Sequence, residues 1–332
     1  MPVIYEPKTM YSLLSIIKKY PDAFIYSSGL EKICQFREKT VSFDNDIIYI
    51  ERIEELQRMD RSERYIDIGS ATRINNIIDK GKNIIPAILL KAMEKITPPN
   101  FKNILTIGGL VCLKNKRSNI FSVLSILDAK LEIRSRSSSK WISINHLFND
   151  NNVINLLPGE IITKIRLYLE DYDISIYREI DNDFSCEDTS IPCDFFRASR
   201  SVAAQDAVPA PSFQQGEAQE TLTQSSDSSK YGNATLNESP IIFSALASLT
   251  KKNINFIKFI FSTSDTFVIR SKEIESNLTD QNIPFNDKLT ATIISQFKEY
   301  LDKKYNTIKN HRKNIILNTL DWFIKELDYF SI

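Results

Sequence analysis

An α+β fold in more than one domain is the architecture this sequence predicts, and three observations predict it. Short β-branched runs alternate with helical stripes over residues 1–180. A segment free of isoleucine and rich in Ala, Ser, Gln, Pro and Thr then interrupts the pattern from Pro192 to Pro240. Beyond it, two apolar runs and three helical stripes form a second ordered block over 240–332. At 332 residues the chain is long enough for two or three domains with a real core.

The elements follow in order. Tyr11–Tyr20 carries apolar residues at Leu13, Leu14, Ile16 and Ile17, a helical stripe. Ala23–Tyr26 is a short strand running into the turn Ser27-Ser28-Gly29, and Ile47–Ile50 and Tyr65–Ile68 read as further strands. Glu51, Glu54 and Glu55 with Arg52 and Arg58 read as a solvated helix with i,i+4 pairs. Helices are expected over Arg73–Asp79 and Ile85–Lys95, the latter stopped by Pro98-Pro99. A loop with Gly108-Gly109, a helix near Ile120–Leu127, and strands at Lys130–Ser135 and Ile161–Tyr168 complete the first part. The composition of 201–239 cannot bury enough apolar area to offset its ordering entropy, so a disordered insertion is expected there. After it, Ile241–Leu249 and Ile254–Ser262 read as two strands or as a strand and a helix. Arg270–Leu278, Asp287–Lys303 and His311–Leu327 read as helices.

Composition narrows the function. Hydrophobic and charged fractions of 42% and 25% are those of a globular protein, and zero net charge with scattered basic residues argues against a nucleic-acid surface. His146 and His311 leave little scope for histidine-based metal or acid–base chemistry. Met1–Tyr20 lacks the pattern of a secretory leader, and no apolar run approaches the roughly 20 residues that span a bilayer. Cys34, Cys112, Cys186 and Cys193 show no metal-binding spacing and are too few for two iron–sulfur clusters. A reduced, cytoplasmic protein is expected.

The stretch with most chemical content is Phe101–Leu110, which holds the only Gly-Gly pair among eight glycines. Adjacent glycines permit close backbone approach, so successive N–H groups can face an anion, and Thr106 adds a hydroxyl. That is the chemistry needed to hold a dinucleotide pyrophosphate where no GxGxxG or P-loop motif exists. A tight turn between packed elements is the other reading of the same residues. Cys112 beside it reads as a buried thiol or a neighbour of a bound dinucleotide, and Lys114, Lys116 and Arg117 as a solvated loop, a phosphate contact or a contact with a partner's acidic patch.

Asn103-Ile104-Leu105-Thr106-Ile107-Gly108-Gly109-Leu110 resembles the "IRNxxTIGGN" signature of the FAD-binding (medium) subunit of the xanthine dehydrogenase and carbon monoxide dehydrogenase family of molybdenum hydroxylases. Other stretches resemble that family in the same order. They are Tyr5-Glu6-Pro7-Lys8 at the start, Ile66–Thr72 ("l.IGA.tt"), Asn119–Lys130, Leu157–Ile165 ("l.pgEiit.I"), Ile269–Leu278 ("vraktaEaaL") and the helix bearing Arg312. The resemblance implies an FAD-binding PCMH-type fold of two subdomains over 1–180, a low-complexity insertion over 181–239, and a C-terminal α+β flavoprotein domain over 240–332.

It also implies a function. Substrate is hydroxylated at a molybdopterin centre on a large partner subunit, electrons cross 2Fe-2S clusters on a ferredoxin-like partner, and FAD on this chain passes them to NAD or another acceptor. No residue here is then a general acid, a general base or a metal ligand. The implied cofactor-binding residues are Ser27, Ser28, Gly29 and Leu30 in the first loop and Thr106, Ile107, Gly108, Gly109 and Leu110 in the second. Asn119 and Arg178 join them, the latter as a basic residue near the flavin ring; Phe195–Arg200 is a competing match. Several positions depart from the family. The first loop has serines where "aGGTdl" has glycines, Glu31 adds a carboxylate, Leu110 replaces an asparagine and Asn119 an acid. A partly degenerate flavin site is expected, with a flavin-free structural or assembly subunit as the alternative.

Overall fold

The computed structural model describes residues 2–29, 45–96, 99–113, 119–149, 153–180, 240–250, 253–262 and 268–329. The insertion expected over 181–239 lies outside these residues, as do Leu30, Glu31, Pro98, Lys114, Lys116, Arg117, Phe195–Arg200 and three of the cysteines.

Three layered units follow one another. The first has a parallel sheet of β1 (Ile4–Tyr5), β2 (Phe24–Tyr26) and β3 (Ile47–Tyr49), with β3 in the middle. Its helix α1 (Met10–Lys19) starts at Thr9, whose hydroxyl accepts the Ser12 N–H at 3.2 Å. Buried Met10, Leu13, Leu14 and Ile17 recur at helical spacing and close a small core with Ile48, Ile53 and Leu56.

The second unit is a five-stranded antiparallel sheet in the order β4 (Met59–Arg61), β5 (Tyr65–Gly69), β8 (Ile161–Tyr168), β6 (Lys130–Arg134), β7 (Ser139–Ser143). Ile66, Ile68, Leu131, Ile133, Ile165 and Leu167 face α2 (Ile74–Gly81), α3 (Ala87–Glu94), α4 (Ile107–Val111) and α5 (Asn119–Ile126) in one core. On the other face Arg166 grips Asp67 through two hydrogen bonds of 2.6 and 2.7 Å and stacks on Tyr65 and Trp141.

The third unit is an antiparallel sheet of β9 (Ile174–Ile180), β10 (Ile241–Thr250) and β11 (Asn253–Ser262), followed by α6 (Lys272–Leu278), α7 (Asp287–Lys304) and α8 (Asn310–Tyr329). Both apolar runs after the insertion are therefore strands. β9, which the sequence pattern leaves at the end of the first domain, is hydrogen-bonded along its length to β10. One face of this sheet, with Ile242, Leu246 and Ile260, packs into the core shared with α3 and α5. The other face, with Phe243, Phe259 and Phe261, packs on α7 and α8. Coverage on both sides explains why β10 reads as an unbroken apolar run rather than an alternating one.

A buried polar cluster joins the second and third units. Arg270 binds Glu275 at 2.8–3.1 Å and Asp128 at 3.3 Å, and Lys258 reaches Asp128 at 2.8 Å. Glu275 also accepts the Phe259 N–H at 3.0 Å.

Three local expectations are corrected. The Glu51–Arg58 stretch is not a helix beyond one 3₁₀ turn at Glu54–Leu56, and its only expected i,i+4 pair that forms there is Arg58–Glu54. Arg52 and Glu51 turn instead to Glu6 and Arg73. The Gly108-Gly109 pair lies inside the first turn of α4 rather than in a loop, with neither glycine at positive φ. The edge strands β4 and β7 carry Met-Asp-Arg and Ser-Lys-Trp-Ile-Ser, too polar and short to show an apolar period.

Candidate functional site

A cleft of about 400 Å³ opens between the parallel sheet and the second unit. It runs along β2, from Asp22 and Ala23 before the strand to the Ser27–Gly29 turn past its carboxyl end. Ser27, Ser28 and Gly29 form one wall; Ser70, Thr106, Gly108 and Gly109 form the facing one. Ile50, Ile154, Leu156, Ile161 and Ile162 add an apolar stretch, and Asp22, Asn45 and Glu160 are further polar lining residues.

Each wall is fixed by local chemistry. Gly29 has φ +65°, and a Cβ there would fall 2.7 Å from the Tyr26 ring, so glycine is required to end β2 in this turn. Thr106 caps α4, its hydroxyl accepting the Gly109 N–H at 3.3 Å. Gly108 N–H donates to Ser70 O at 2.8 Å. A Cβ on Gly108 would stand 2.6 Å from that same oxygen, so this glycine lets α4 seat directly on the turn after β5. A Cβ on Gly109 would instead project towards the other wall, 3.5 Å from the Ser28 hydroxyl. The two glycines therefore have different tasks: Gly108 packs and Gly109 opens the cleft.

The polar groups of the cleft are underused by the protein. The Ser27 and Ser70 hydroxyls are buried and have no hydrogen-bond partner among the described residues. The amides of Ser27, Ser28 and Gly29 make no bond to another described backbone group. A buried hydroxyl without a partner costs roughly 1–3 kcal/mol; Thr72, Ser122 and Ser244 carry such hydroxyls away from the cleft, while Ser27 and Ser70 belong to residues that line it. Glu160, at the apolar end, is held by Lys140 at 2.6 Å and by the Leu157 N–H at 3.0 Å. Burial opposes its charged form, but these two contacts outweigh burial and hold the carboxyl below its ordinary pKa.

Among the residues expected to bind a cofactor, the structure brings Ser27, Ser28, Gly29, Thr106, Gly108 and Gly109 to one cleft. Ile107 and Leu110 lie on α4 with their side chains in the core. Asn119 is elsewhere: its amide donates at 3.0 Å to both the Tyr177 hydroxyl and Glu179. Burial, reinforced by Glu179, pushes the Tyr177 phenol well above its ordinary pKa. Arg178 points to the opposite side of β9, where its guanidinium stacks 4.1 Å from the Trp322 ring. Cys112 is half-buried at the cleft, and His146 and His311 are both exposed. Ser70 was missed by sequence reasoning, although it lies in the Ile-Gly-Ser-Ala-Thr motif read there only as a strand and turn. Among the described residues, no acid, His or Cys group is arranged to hold a metal, and no helix is long and apolar enough to cross a membrane.

A serine–glycine turn facing a glycine-bearing helix start between two α+β subdomains, with a third unit packed behind, has the architecture of the two-subdomain flavin-type fold. Residues 2–167, half of the chain, match the family described as the FAD binding domain in molybdopterin dehydrogenase, and the chain belongs to that family. It is 26% identical over 161 residues to the xanthine dehydrogenase FAD-binding subunit of Escherichia coli O157:H7, covering 48% of this chain and 54% of that one. It is 29% identical over 151 residues to the alpha subunit of the 6-hydroxypseudooxynicotine dehydrogenase complex of Paenarthrobacter nicotinovorans, covering 44% and 49%. The chain thus spans about half the length of the curated relatives it matches. The fold superposes on a chain of quinoline 2-oxidoreductase from Pseudomonas putida 86 with a TM-score of 0.66, covering 100% of this chain and 96% of that one at 10% identity. The α+β FAD-binding fold extends through the third unit.

Proposed function

We propose that the chain is the FAD-binding, electron-transfer subunit of a xanthine-dehydrogenase-like molybdenum hydroxylase complex, with the FAD pyrophosphate held between the Ser27–Gly29 and Thr106–Gly109 walls. The observation that carries this reading is the pair of buried, unpartnered hydroxyls, Ser27 and Ser70, on a cleft whose far wall is opened by Gly109.

The residues fit the group in kind. Ser27 and Ser70 donate to phosphate oxygens, the first-wall amides lie beside them, and Gly109 leaves the backbone approachable. Thr106 keeps its hydroxyl on Gly109 and so fixes the turn rather than the ligand. The isoleucine-rich end excludes water from whatever lies against it. FAD, when bound, supplies the redox chemistry, taking electrons from the complex and passing them to NAD or another acceptor. The cofactor-binding set is then Ser27, Ser28, Gly29, Ser70, Thr106, Gly108 and Gly109, without Asn119 and Arg178. The cofactor domain ends after β8, and β9 opens the C-terminal domain.

The partners in this reading are a 2Fe-2S ferredoxin-like subunit and a molybdopterin-binding large subunit, in the cytoplasm. The relatives named as a dehydrogenase subunit and as part of a dehydrogenase complex support that assembly. The test is an absorption spectrum of the purified chain before and after addition of FAD. A flavin spectrum retained through gel filtration is expected. A colourless chain that takes up no FAD refutes the reading, and if that chain still captures an iron–sulfur subunit it is a flavin-free assembly subunit.

A further inference from the structure

Among the described residues that line the cleft, the charged ones are Asp22 and Glu160, both acidic. A pyrophosphate carries charge that neutral hydroxyls and amides only partly balance. A cation, Arg73, is bridged to Thr106 of the second wall, on the same side of the backbone as that side chain.

Arg73 and Thr106 form an isolated antiparallel bridge. Its flanking hydrogen bonds run from Ile74 N–H to Leu105 O at 2.9 Å and from Ile107 N–H to Thr72 O at 3.1 Å. The bridge is therefore a non-hydrogen-bonded pair, the arrangement in which opposed side chains leave the backbone on the same face and at closest approach. The Thr106 hydroxyl is directed at Gly109 beside the cleft, so the Arg73 side chain starts from that face too.

From there it reaches across. Arg73 Nη2 lies 3.1 Å from Glu51 Oε2, and the same oxygen accepts the Tyr49 hydroxyl at 2.8 Å. Glu51 follows Ile50, a lining residue whose N–H binds Tyr26 O immediately before Ser27. One ion pair thus connects the strand end beside the first wall with the strand that carries the second. The pair is built to exchange. Arg73 is 49% exposed and uses one of its five donors on Glu51. An ion pair at that exposure contributes little to stability. Tyr49 remains to satisfy Glu51 when the guanidinium leaves. A phosphate group offers Arg73 two acceptors in the fork geometry that guanidinium prefers.

We propose that Arg73 is a pyrophosphate-binding residue of this cleft, held by Glu51 in the free chain and transferred to phosphate oxygens when the dinucleotide enters; this rests on the cleft being the FAD site. The test titrates the purified full chain with FAD, ADP and riboflavin, followed by fluorescence and calorimetry, in wild type, R73Q, R73K and E51Q. R73Q weakens FAD and ADP roughly tenfold or more while leaving riboflavin, which lacks phosphate, within twofold. R73K keeps part of the affinity. E51Q, which removes the competing carboxylate, tightens both phosphate ligands several-fold. Raising the salt concentration weakens ADP binding more in wild type than in R73Q.

FAD and ADP affinities within twofold of wild type in R73Q overturn the proposal, as does an equal loss for riboflavin. If R73Q does not fold, unchanged FAD and ADP affinities in E51Q overturn it. A wild-type chain that binds neither FAD nor ADP overturns the cleft reading and this inference together. A wild type that binds FAD alongside an unaffected R73Q overturns the Arg73 inference alone.

Discussion

The two adjacent glycines separate fold from site, and alanine at each position tests that separation. A Cβ at Gly108 meets Ser70 O at 2.6 Å and Ser70 Cβ at 2.9 Å, a collision with backbone that no rotamer relieves. Forcing α4 away from the β5 turn costs about 1–3 kcal/mol by analogy with overpacked cores. Alanine in a helix returns about 0.5–1 kcal/mol of that. The net loss for G108A is then about 0–2.5 kcal/mol, and its midpoint lowers the melting temperature by roughly 2–5 °C for a domain of this size. At Gly109 the added Cβ meets only the Thr106 hydroxyl at 3.0 Å and the Ser28 hydroxyl at 3.5 Å, both side-chain atoms. The helix gain offsets a shift of a few tenths of an ångström, so G109A melts within about 2 °C of wild type. Its methyl, however, stands between the two walls, and FAD affinity falls tenfold or more. Differential scanning fluorimetry and FAD titration of the two variants decide the matter. Equal destabilisation of both, or wild-type FAD affinity in G109A, refutes the division of labour.

Three further outcomes follow from the same geometry. S70A removes a buried hydroxyl that has no partner among the described residues, so the free chain keeps or gains stability by up to about 1 kcal/mol while FAD affinity drops several-fold; a destabilised S70A would show that the hydroxyl serves the fold. E275Q deprives Arg270 of its buried counter-charge and costs about 3 kcal/mol in urea unfolding, whereas R58Q, at an exposed i,i+4 pair, changes stability by less than about 0.5 kcal/mol. Burial acts to raise the Asp128 pKa, but Lys258 and Arg270 outweigh it and hold the carboxyl below its ordinary value in the folded chain. Its contribution is therefore present above the unfolded pKa of about 3.9 and is lost as pH falls through the folded value; K258M narrows that acid-side loss in pH-dependent unfolding curves.

Much of this was legible from the residues. The stripe Leu13, Leu14, Ile17 and the strand Ile161–Tyr168 announce themselves because one face of each is buried and the other is not. Ser27–Gly29 was legible as a turn because Gly29 takes a positive φ, whereas Gly108-Gly109, read as a loop, lies in a helix where Gly108 lets backbone approach backbone. What was not legible was direction. Nothing in the sequence says that Arg178 leaves β9 towards Trp322 while Tyr177 and Glu179 leave it towards α5, because the strand is covered on both faces and its neighbours are set by non-local packing. The Glu51–Arg58 charges satisfied an i,i+4 template, yet Glu6 and Arg73 compete for the same side chains from other elements. Local pairing rules count only the partners that local sequence supplies.

The departures from the family pattern acquire a physical meaning once direction is known. Leu110 occupies a helix position whose side chain enters the core between α4 and its neighbours, so an apolar residue there strengthens packing and touches no wall of the cleft. Asn119 spends its amide on Tyr177 and Glu179, joining the cofactor domain to β9. These two changes therefore leave the cleft itself intact. The change that bears on it is serine for glycine at Ser27 and Ser28. There the lost backbone freedom is accompanied by hydroxyls, one of which is buried without a hydrogen-bond partner among the described residues. Among the described residues the Ser27 hydroxyl has no hydrogen-bond partner and the amides of Ser27, Ser28 and Gly29 make no bond to another backbone group, so in the proposed reading these donors are left to the phosphate.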